Sequence, residues 1–157
     1  MKLSASSRQS AVSDLRKWVL FFLLLTAYGS LCCSIPNLES AECSESRDAV
    51  KQFYSFHFGN DMTPSPESLK IREQFLTAEF FNSLSRMTKV ASDPFTNTGK
   101  LPKSFRVGTC KIEGPEKTAM QVVLLWRDDT GSEQKEIAVD MVKRGDKWLV
   151  DGVSTAK

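Results

Sequence analysis

The spacing of apolar residues changes once along the chain, and this change limits the folds that the sequence can adopt. In the first half, four residues are spaced so that they fall on one face of a helix, which has 3.6 residues per turn: Val50, Phe53, Tyr54 and His57. In the second half, apolar residues recur at every second position, as in Met120, Val122, Leu124 and Trp126. Prolines and a glycine interrupt the segment between them, residues 90–103, which we expect to be a loop. Helices followed by strands predict an α+β domain.

Capping residues predict where the helices begin and end. Ser44 or Ser46 can accept hydrogen bonds at the start of the first helix. Residues 59–60, Gly-Asn, tolerate the left-handed conformation that often ends a helix. Ser65, which precedes a proline, marks the start of a second helix, and Thr77 the start of a third.

The strands are predicted to pair as antiparallel hairpins joined by the turns DDTG and RGD. The strand SFRVGTCKI has a break in its alternation, because Phe105 and Val107 fall on one face and Cys110 on the other. One extra residue near Gly108 restores the alternation, which is the geometry of a β-bulge. A bulge bends a sheet, so we expect the helices to pack on the concave face of a curved, mostly antiparallel sheet.

The N-terminus has the three parts of an export signal. Four basic residues come first, and no charged residue follows in residues 18–38. The strongly apolar part, residues 18–25, is shorter than the roughly 20 residues of a membrane-spanning helix. Small residues at positions 27 and 29 predict cleavage before Ser30.

These features divide the chain into a signal peptide at residues 1–29, a linker at 30–44 and one domain at 45–157. Two alternatives to cleavage stay open. The segment can remain as an N-terminal membrane anchor, or the protein can be a lipoprotein modified at Cys33 or Cys32, although neither cysteine follows the small residue that a lipobox requires. In each case we expect an exported protein of the periplasm or cell envelope.

Removal of the signal changes the charge of the chain. The whole sequence has 21 Lys and Arg against 19 Asp and Glu. Residues 1–29 carry four of the basic and one of the acidic residues, which leaves 17 against 18, a net charge near −1. A domain with this balance has no excess of positive charge to attract phosphate backbones, so we expect no nucleic-acid partner.

The four cysteines indicate disulfide chemistry, because exported proteins fold under oxidising conditions. Cys43 and Cys110 are the more plausible pair, since Cys32 and Cys33 are adjacent and a bond between neighbours is strained. It is equally compatible with the sequence that Cys110 is a small buried residue. With a single histidine and no CxxC motif, the sequence predicts no metal site. No cofactor is expected.

Residues 45–153 resemble a known family. The chain is similar to bacterial domain-of-unknown-function family 3828, within the nuclear-transport-factor-2-like (NTF2-like) fold. The similarity is carried by four segments in order: AVKQFYSFHF, FLTAEFFNSL, DPFTNT and VKRGDKWLVDGV. It implies a cone of helices against a curved sheet, an exported or lipid-anchored envelope protein, and no established activity. By the same analogy a homodimer is plausible.

Related cone-shaped domains hold small ligands between helices and sheet, and some are isomerases or dehydratases. The candidate acid–base groups here are His57 and Tyr54, with Asp140 or Asp151 from the sheet. The simpler interpretation is that His57 interacts with the carbonyl end of its helix. Asp93, before a proline, is expected to form a turn, with ligand contact as the alternative.

The sequence therefore favours a non-catalytic binding module whose cavity holds a small apolar molecule or a peptide. Five residues are predicted to line that cavity: Phe53, Tyr54, His57, Trp126 and Met141. Two other functions remain open, an enzyme that uses His57 and Asp140, and a periplasmic inhibitor or immunity protein.

Overall fold

The computed structural model describes residues 39–87, 92–128 and 131–156. Within these ranges the chain forms three α-helices, a 3₁₀-helix at Glu73–Phe75 and four strands: α1 Ala41–Phe58, α2 Pro66–Arg72, α3 Ala78–Ser85, β1 Ser104–Gly114, β2 Lys117–Asp128, β3 Gly131–Arg144 and β4 Lys147–Thr155. The predicted signal or anchor (1–29), Cys32 and Cys33 lie outside the described residues. None of the helices in the described ranges is both long and apolar enough to cross a bilayer.

The four strands form one antiparallel sheet in the order β1-β2-β3-β4, as the predicted hairpins require. The register of β1 against β2 shifts between Val107 and Cys110, which confirms the bulge near Gly108. Arg47 of α1 donates from Nη1 to the Gly108 carbonyl oxygen at 2.6 Å, so a helix side chain pairs with the backbone of the bulge. The β3–β4 turn contains Gly145 at φ +60°, a conformation that favours glycine.

Helix α1 begins earlier than its sequence predicts. Its N-cap is Ser40, whose hydroxyl oxygen accepts from the Cys43 N–H at 3.2 Å. Residues 41–44, expected in the linker, therefore belong to the helix. Ser46 is not a cap because its hydroxyl is buried against the Thr118 hydroxyl at 2.7 Å. The expected left-handed end is also wrong: Gly59 has φ −81°, and its N–H donates to the Ser55 carbonyl oxygen.

The starts of α2 and α3 are confirmed. The Ser65 hydroxyl accepts from the Ser68 N–H at 3.0 Å, and Pro66 is the first residue of α2. The Thr77 hydroxyl oxygen accepts from the Phe80 N–H at 3.2 Å. The Thr77 N–H in turn donates to the Val150 carbonyl oxygen at 2.9 Å, so the cap of α3 also ties that helix to β4.

Helix α1 packs against β1, β2 and β4. Its first turn is joined to β1 by a disulfide between Cys43 and Cys110, whose Cα atoms are 5.8 Å apart. The buried apolar side chains of α1, β2, β3 and β4 form one core cluster that includes Val50, Phe53, Met120, Val122, Ile137, Val139 and Val150. The helices and the sheet therefore share a single hydrophobic core, and the polar groups described next are embedded in it.

Candidate functional site

His57, the only histidine of the chain, is buried in the last turn of α1 with 1% of its surface exposed. Its Nε2 lies 2.8 Å from Oδ2 of Asp93, and Nε of Arg72 donates to its Nδ1 at 2.7 Å. A guanidinium can only donate, so Nδ1 accepts and the ring proton is on Nε2, directed at the carboxylate. The imidazole is therefore neutral. We call Arg72, His57 and Asp93 the buried network.

Arg72 is the cation of the buried network and is fully buried. Beyond its bond to His57, Nη1 donates to the Ser68 carbonyl oxygen at 2.6 Å, and Nη2 donates to the carbonyl oxygens of Asp61 and His57 at 2.8 and 3.3 Å. Burial lowers the pKa of the guanidinium, while the negative charges of Asp93 and Asp61 oppose that shift. The positive charge is thus balanced by Asp93 across a neutral ring.

Asp93 is the anion of the buried network and organises its own loop. Its Oδ1 accepts from the Phe95 N–H at 3.1 Å, and its Oδ2 also accepts from the Thr96 hydroxyl at 2.7 Å. The turn role predicted for Asp93 is therefore present, together with its hydrogen bond to His57. The Tyr54 hydroxyl donates to the Phe95 carbonyl oxygen at 2.7 Å, and burial raises the pKa of Tyr54 well above its ordinary value, with a further contribution from Asp93.

The predicted pairing of His57 with Asp140 is wrong. Both ring nitrogens of His57 already have partners, and Asp140 alternates along β3 with Val139 and Met141, which face the core. Its carboxylate therefore lies on the opposite face of the sheet. Burial raises the pKa of Asp140, with smaller contributions from Glu113 and Asp151. The alternative acid Asp151 accepts a hydrogen bond from the Thr77 hydroxyl at 2.7 Å.

The simpler interpretation of His57, interaction with the carbonyl end of its own helix, is also wrong. The side chains that donate to those carbonyls are Asn60, which bonds the Phe56 oxygen at 2.7 Å, and Arg72, which bonds the His57 oxygen. His57 has no ring nitrogen left for this purpose. Its two bonds run to a different helix and to a loop.

The five residues predicted to line a cavity are all buried, and they do not gather around one opening. Three of them, Tyr54, His57 and Trp126, line neither of the two grooves described below. Tyr54 and His57 pack in an aromatic cluster with Phe53 and Phe95, and Trp126 donates from Nε1 to the Lys100 carbonyl oxygen at 3.0 Å. Phe53 and Met141 reach the floor of the larger groove.

The first groove, the α2–α3 groove, has a volume of about 380 Å³ and is mostly apolar. Its lining among the described residues is Pro64, Ser65, Pro66, Ser68, Leu69, Lys70, Phe81, Leu84, Ser85, Met87, Asp93 and Pro94. Lys70 extends its ammonium over the Phe81 ring, 5.7 Å from the centroid. Cavities of this size and character are typical of small-molecule sites.

The second groove, the α1–sheet groove, is larger, about 660 Å³, and has a charged rim. It lies between α1, the 3₁₀-helix and the β3–β4 hairpin. On this rim Glu45 accepts from Lys143 at 2.7 Å and from the Trp148 indole at 3.0 Å. Its lining is more polar than that of the α2–α3 groove, so it offers less apolar surface to a ligand and is the weaker binding candidate.

The buried network contributes to two walls of the α2–α3 groove. Arg72 bonds the carbonyl oxygen and the hydroxyl of Ser68, which lines the groove on α2. Asp93 also lines the groove and is hydrogen-bonded to His57. Two parts of the lining, one on α2 and one on the loop at residues 92–98, are therefore connected through the buried network.

Arg72 is the residue that sequence reasoning missed. It lies three positions after Leu69, so it falls on the apolar face of the predicted second helix. A charged residue on a buried stripe indicates a paired interior charge. That signal was available, although it does not identify the partners.

No protein-family model matches the sequence, and no curated protein matches it. Among solved structures, the chain is similar to a protein of unknown function from Bacteroides thetaiotaomicron, with a TM-score of 0.52, 18% identity, and coverage of 71% of this chain and 89% of that one. It is also similar to an NTF2-like protein involved in plasmid conjugation, with a TM-score of 0.45 and 16% identity, covering 72% of this chain and 38% of that chain.

The chain is therefore an α+β protein in which helices precede a four-stranded antiparallel sheet. Its fold is shared with a protein of unknown function. A fold does not by itself assign a function. Within the part of the chain that the structure describes, the two grooves are features that can bind another molecule.

Replacement of Arg72 tests the buried network. Arg72→Met should lower the free energy of unfolding by about 3 kcal/mol or more, because removal of one partner leaves the buried Asp93 charge uncompensated. Lys70→Met, an exposed change in the same helix, should stay within about 0.5 kcal/mol of the wild type. The measurement is urea unfolding followed by circular dichroism.

A double-mutant cycle separates ion pairing from simple loss of packing. Asp93→Asn removes the uncompensated charge, so Arg72→Met with Asp93→Asn should cost clearly less than the sum of the single changes. Additive effects, or an Arg72→Met protein within about 1 kcal/mol of the wild type, would contradict the assigned network.

Proposed function

We propose that this protein is a non-catalytic binding module whose site is the α2–α3 groove. The observation that carries the proposal is the groove itself, about 380 Å³, with an apolar floor that includes Leu69, Phe81 and Leu84. Apolar lining with a few polar groups is typical of sites that bury most of a small ligand. The predicted site under α1 is thereby replaced by one between the other two helices.

The ligand that fits this lining is a small molecule with an apolar body and a negatively charged end. Among the described lining residues the cation is Lys70, and its exposed ion pair with Glu73 is of a kind that contributes little stability. A ligand anion can therefore take the place of Glu73 at low cost. The hydroxyls of Ser65, Ser68 and Ser85 supply further hydrogen-bonding groups at the lining.

The state of the titratable groups supports a non-catalytic role. A general acid or base needs a proton or a lone pair that can reach a substrate. Tyr54 and both ring nitrogens of His57 have internal partners, and Asp93 is saturated by its loop. Throughout the described ranges, every buried side-chain nitrogen or oxygen has a hydrogen-bond partner. These groups hold the walls of the groove in place.

We further propose that the protein is exported and is a remote member of domain-of-unknown-function family 3828. Two of the segments that carry the resemblance, AVKQFYSFHF and DPFTNT, contain His57 and Asp93 of the buried network. A solved family member without an equivalent of this pair would weigh against membership.

Binding is tested with 1-anilinonaphthalene-8-sulfonate, an aromatic body with one anionic group. We expect saturable binding of one equivalent to the folded protein. Met87 lines the groove and is 53% exposed. Met87→Glu should weaken binding about tenfold or more, because a lost contact worth roughly 1.5 kcal/mol is tenfold by itself and repulsion of the sulfonate adds to it.

The matched control is Ile71→Glu, which places the same charge at an exposed apolar position of α2, 44% exposed, outside the groove lining. This variant should bind within about twofold of the wild type, since surface charge at a distance is screened by salt. Equal weakening by both variants, or probe binding only when near-ultraviolet circular dichroism is lost, would refute the proposed site.

Export is tested by the intact mass of the protein recovered from the envelope of its own host. Cleavage before Ser30 predicts a chain that begins at Ser30. A mass that retains residues 1–29, or that includes acyl chains on Cys33 or Cys32, would replace cleavage by one of the two alternatives. Recovery of the full chain from the cytosol would contradict export.

A further inference from the structure

A second cluster of reactive side chains lies where the start of α1 meets β1. Donor atoms of Glu39, Cys43 and Cys110 lie within 4.8 Å of one another. The two cysteines form the disulfide, and in that state their sulfur atoms are not thiolates, which are the form that binds metal ions. We propose that reduction of this disulfide creates a binding site for a divalent cation such as Zn²⁺, with two thiolates and the Glu39 carboxylate as ligands.

The donor set suits zinc. Zn²⁺ takes cysteine sulfur and carboxylate oxygen in tetrahedral geometry, and three protein ligands leave one position for water. Two sulfurs bound at about 2.3 Å in that geometry lie roughly 3.8 Å apart. After the S–S bond is broken, rotation about the cysteine side-chain bonds allows this separation without movement of the backbone, whose Cα atoms are 5.8 Å apart.

The change of state is a balanced two-electron step. A dithiol reductant transfers two electrons and two protons to the disulfide, which becomes two thiols while the reductant forms its own disulfide. Cation binding then displaces the two thiol protons to solvent. Oxidation removes both sulfur ligands at once, so the site exists only in the reduced protein.

Arg47 holds the carboxylate ligand beside the sulfur atoms. Its Nε donates to Oε2 of Glu39 at 2.9 Å, and its Nη1 donates to the Gly108 carbonyl oxygen at 2.6 Å on the bulge of β1. Outer partners that orient a ligand in this way are a regular feature of metal sites.

Two electrostatic effects favour a bound dication. Cys43 lies in the first turn of α1, where the positive end of an 18-residue helix stabilises a thiolate. Two thiolates and the Glu39 carboxylate would together carry three negative charges in one cluster, with the positive charges of Arg47 and Lys51 nearby. A dication offsets the excess.

The ligands are remote in sequence, since Cys43 and Cys110 are 67 residues apart, and neither belongs to a CxxC motif. For this reason the sequence gives no indication of a metal site. None of the three residues lines the α2–α3 groove. The cation site and the proposed ligand site can therefore be tested independently.

The experiment uses the chain with Cys32→Ser and Cys33→Ser, so that Cys43 and Cys110 are its only thiols. The protein is reduced with a phosphine, freed of reductant and titrated with Co²⁺ under argon. We expect one equivalent to bind with a thiolate-to-cobalt charge-transfer band, and Zn²⁺ to displace it. The oxidised protein should show no such band.

Variants assign the ligands. Cys110→Ser should abolish the band, and Glu39→Gln should weaken binding about tenfold or more, since loss of even an outer-shell group has that effect. The matched control is Glu42→Gln. Glu42 lies in the first turn of α1, as Cys43 does, but outside the cluster, so this variant should bind Co²⁺ as the parent protein does. A band that survives Cys110→Ser, or equal effects of the two glutamine variants, would overturn the assignment.

Reduction could also unfold the protein, so circular dichroism is recorded at each stage. A folded reduced protein that binds no Co²⁺ overturns the proposal. If the reduced protein is unfolded, one equivalent of Zn²⁺ should restore the native spectrum, because binding free energy then becomes folding free energy. Failure to restore that spectrum also overturns the proposal.

Discussion

A neutral imidazole between a guanidinium and a carboxylate joins three segments that are distant in sequence: the end of α1, the end of α2 and the loop at residues 92–98. Each member is buried, so each would be costly to leave without its partner. The ring itself is uncharged. It accepts a hydrogen bond from Arg72 and donates one to Asp93, so the positive and the negative charge are connected through it. Hydrogen bonds that involve charged groups contribute about 1.5–3 kcal/mol each, which is more than a neutral pair.

Aromatic side chains surround the network and strengthen its hydrogen bonds. His57 stacks with Phe53 at a centroid distance of 5.8 Å and meets Phe95 at 5.2 Å. Aromatic rings exclude water and lower the local dielectric, which strengthens satisfied hydrogen bonds and penalises broken ones. The space between α1 and the sheet, where the resemblance implies a ligand cavity, therefore contains a packed aromatic cluster. The proposed binding surface is for this reason the α2–α3 groove, whose lining residues Ser68 and Asp93 are hydrogen-bonded within the network.

The elements that depend on local chemistry could be predicted from the sequence. Ser65 and Thr77 cap helices because their hydroxyls satisfy backbone N–H groups within three residues, and the bulge near Gly108 follows from a break in alternation. The start of α1 was placed too late, because Ser46 has a distant partner that the local sequence does not reveal. Tertiary contacts decided that boundary.

From the sequence, two residues of the buried network could be identified as candidates, but the contacts between them could not be predicted. His57 and Asp93 were both noticed, but as separate features, and His57 was paired with the wrong carboxylate. The alternation of β3 already places Asp140 on the opposite face from Val139 and Met141, so this pairing conflicts with the sequence pattern itself. Arg72 carried a weak signal on the apolar stripe of α2. Two of its five hydrogen bonds go to Ser68 in the same helix, and the other three go to His57 and Asp61, whose approach no local rule predicts.

The tautomer of His57 tests the central claim most directly. Because the chain has one histidine, ¹⁵N NMR of the labelled imidazole in the folded protein requires no assignment. At neutral pH the network predicts a neutral ring with its proton on Nε2 and a non-protonated Nδ1 that shifts when Arg72 is replaced by Met. A proton on Nδ1, or the averaged signals of a freely exchanging imidazole, would contradict the network and the groove walls that it supports.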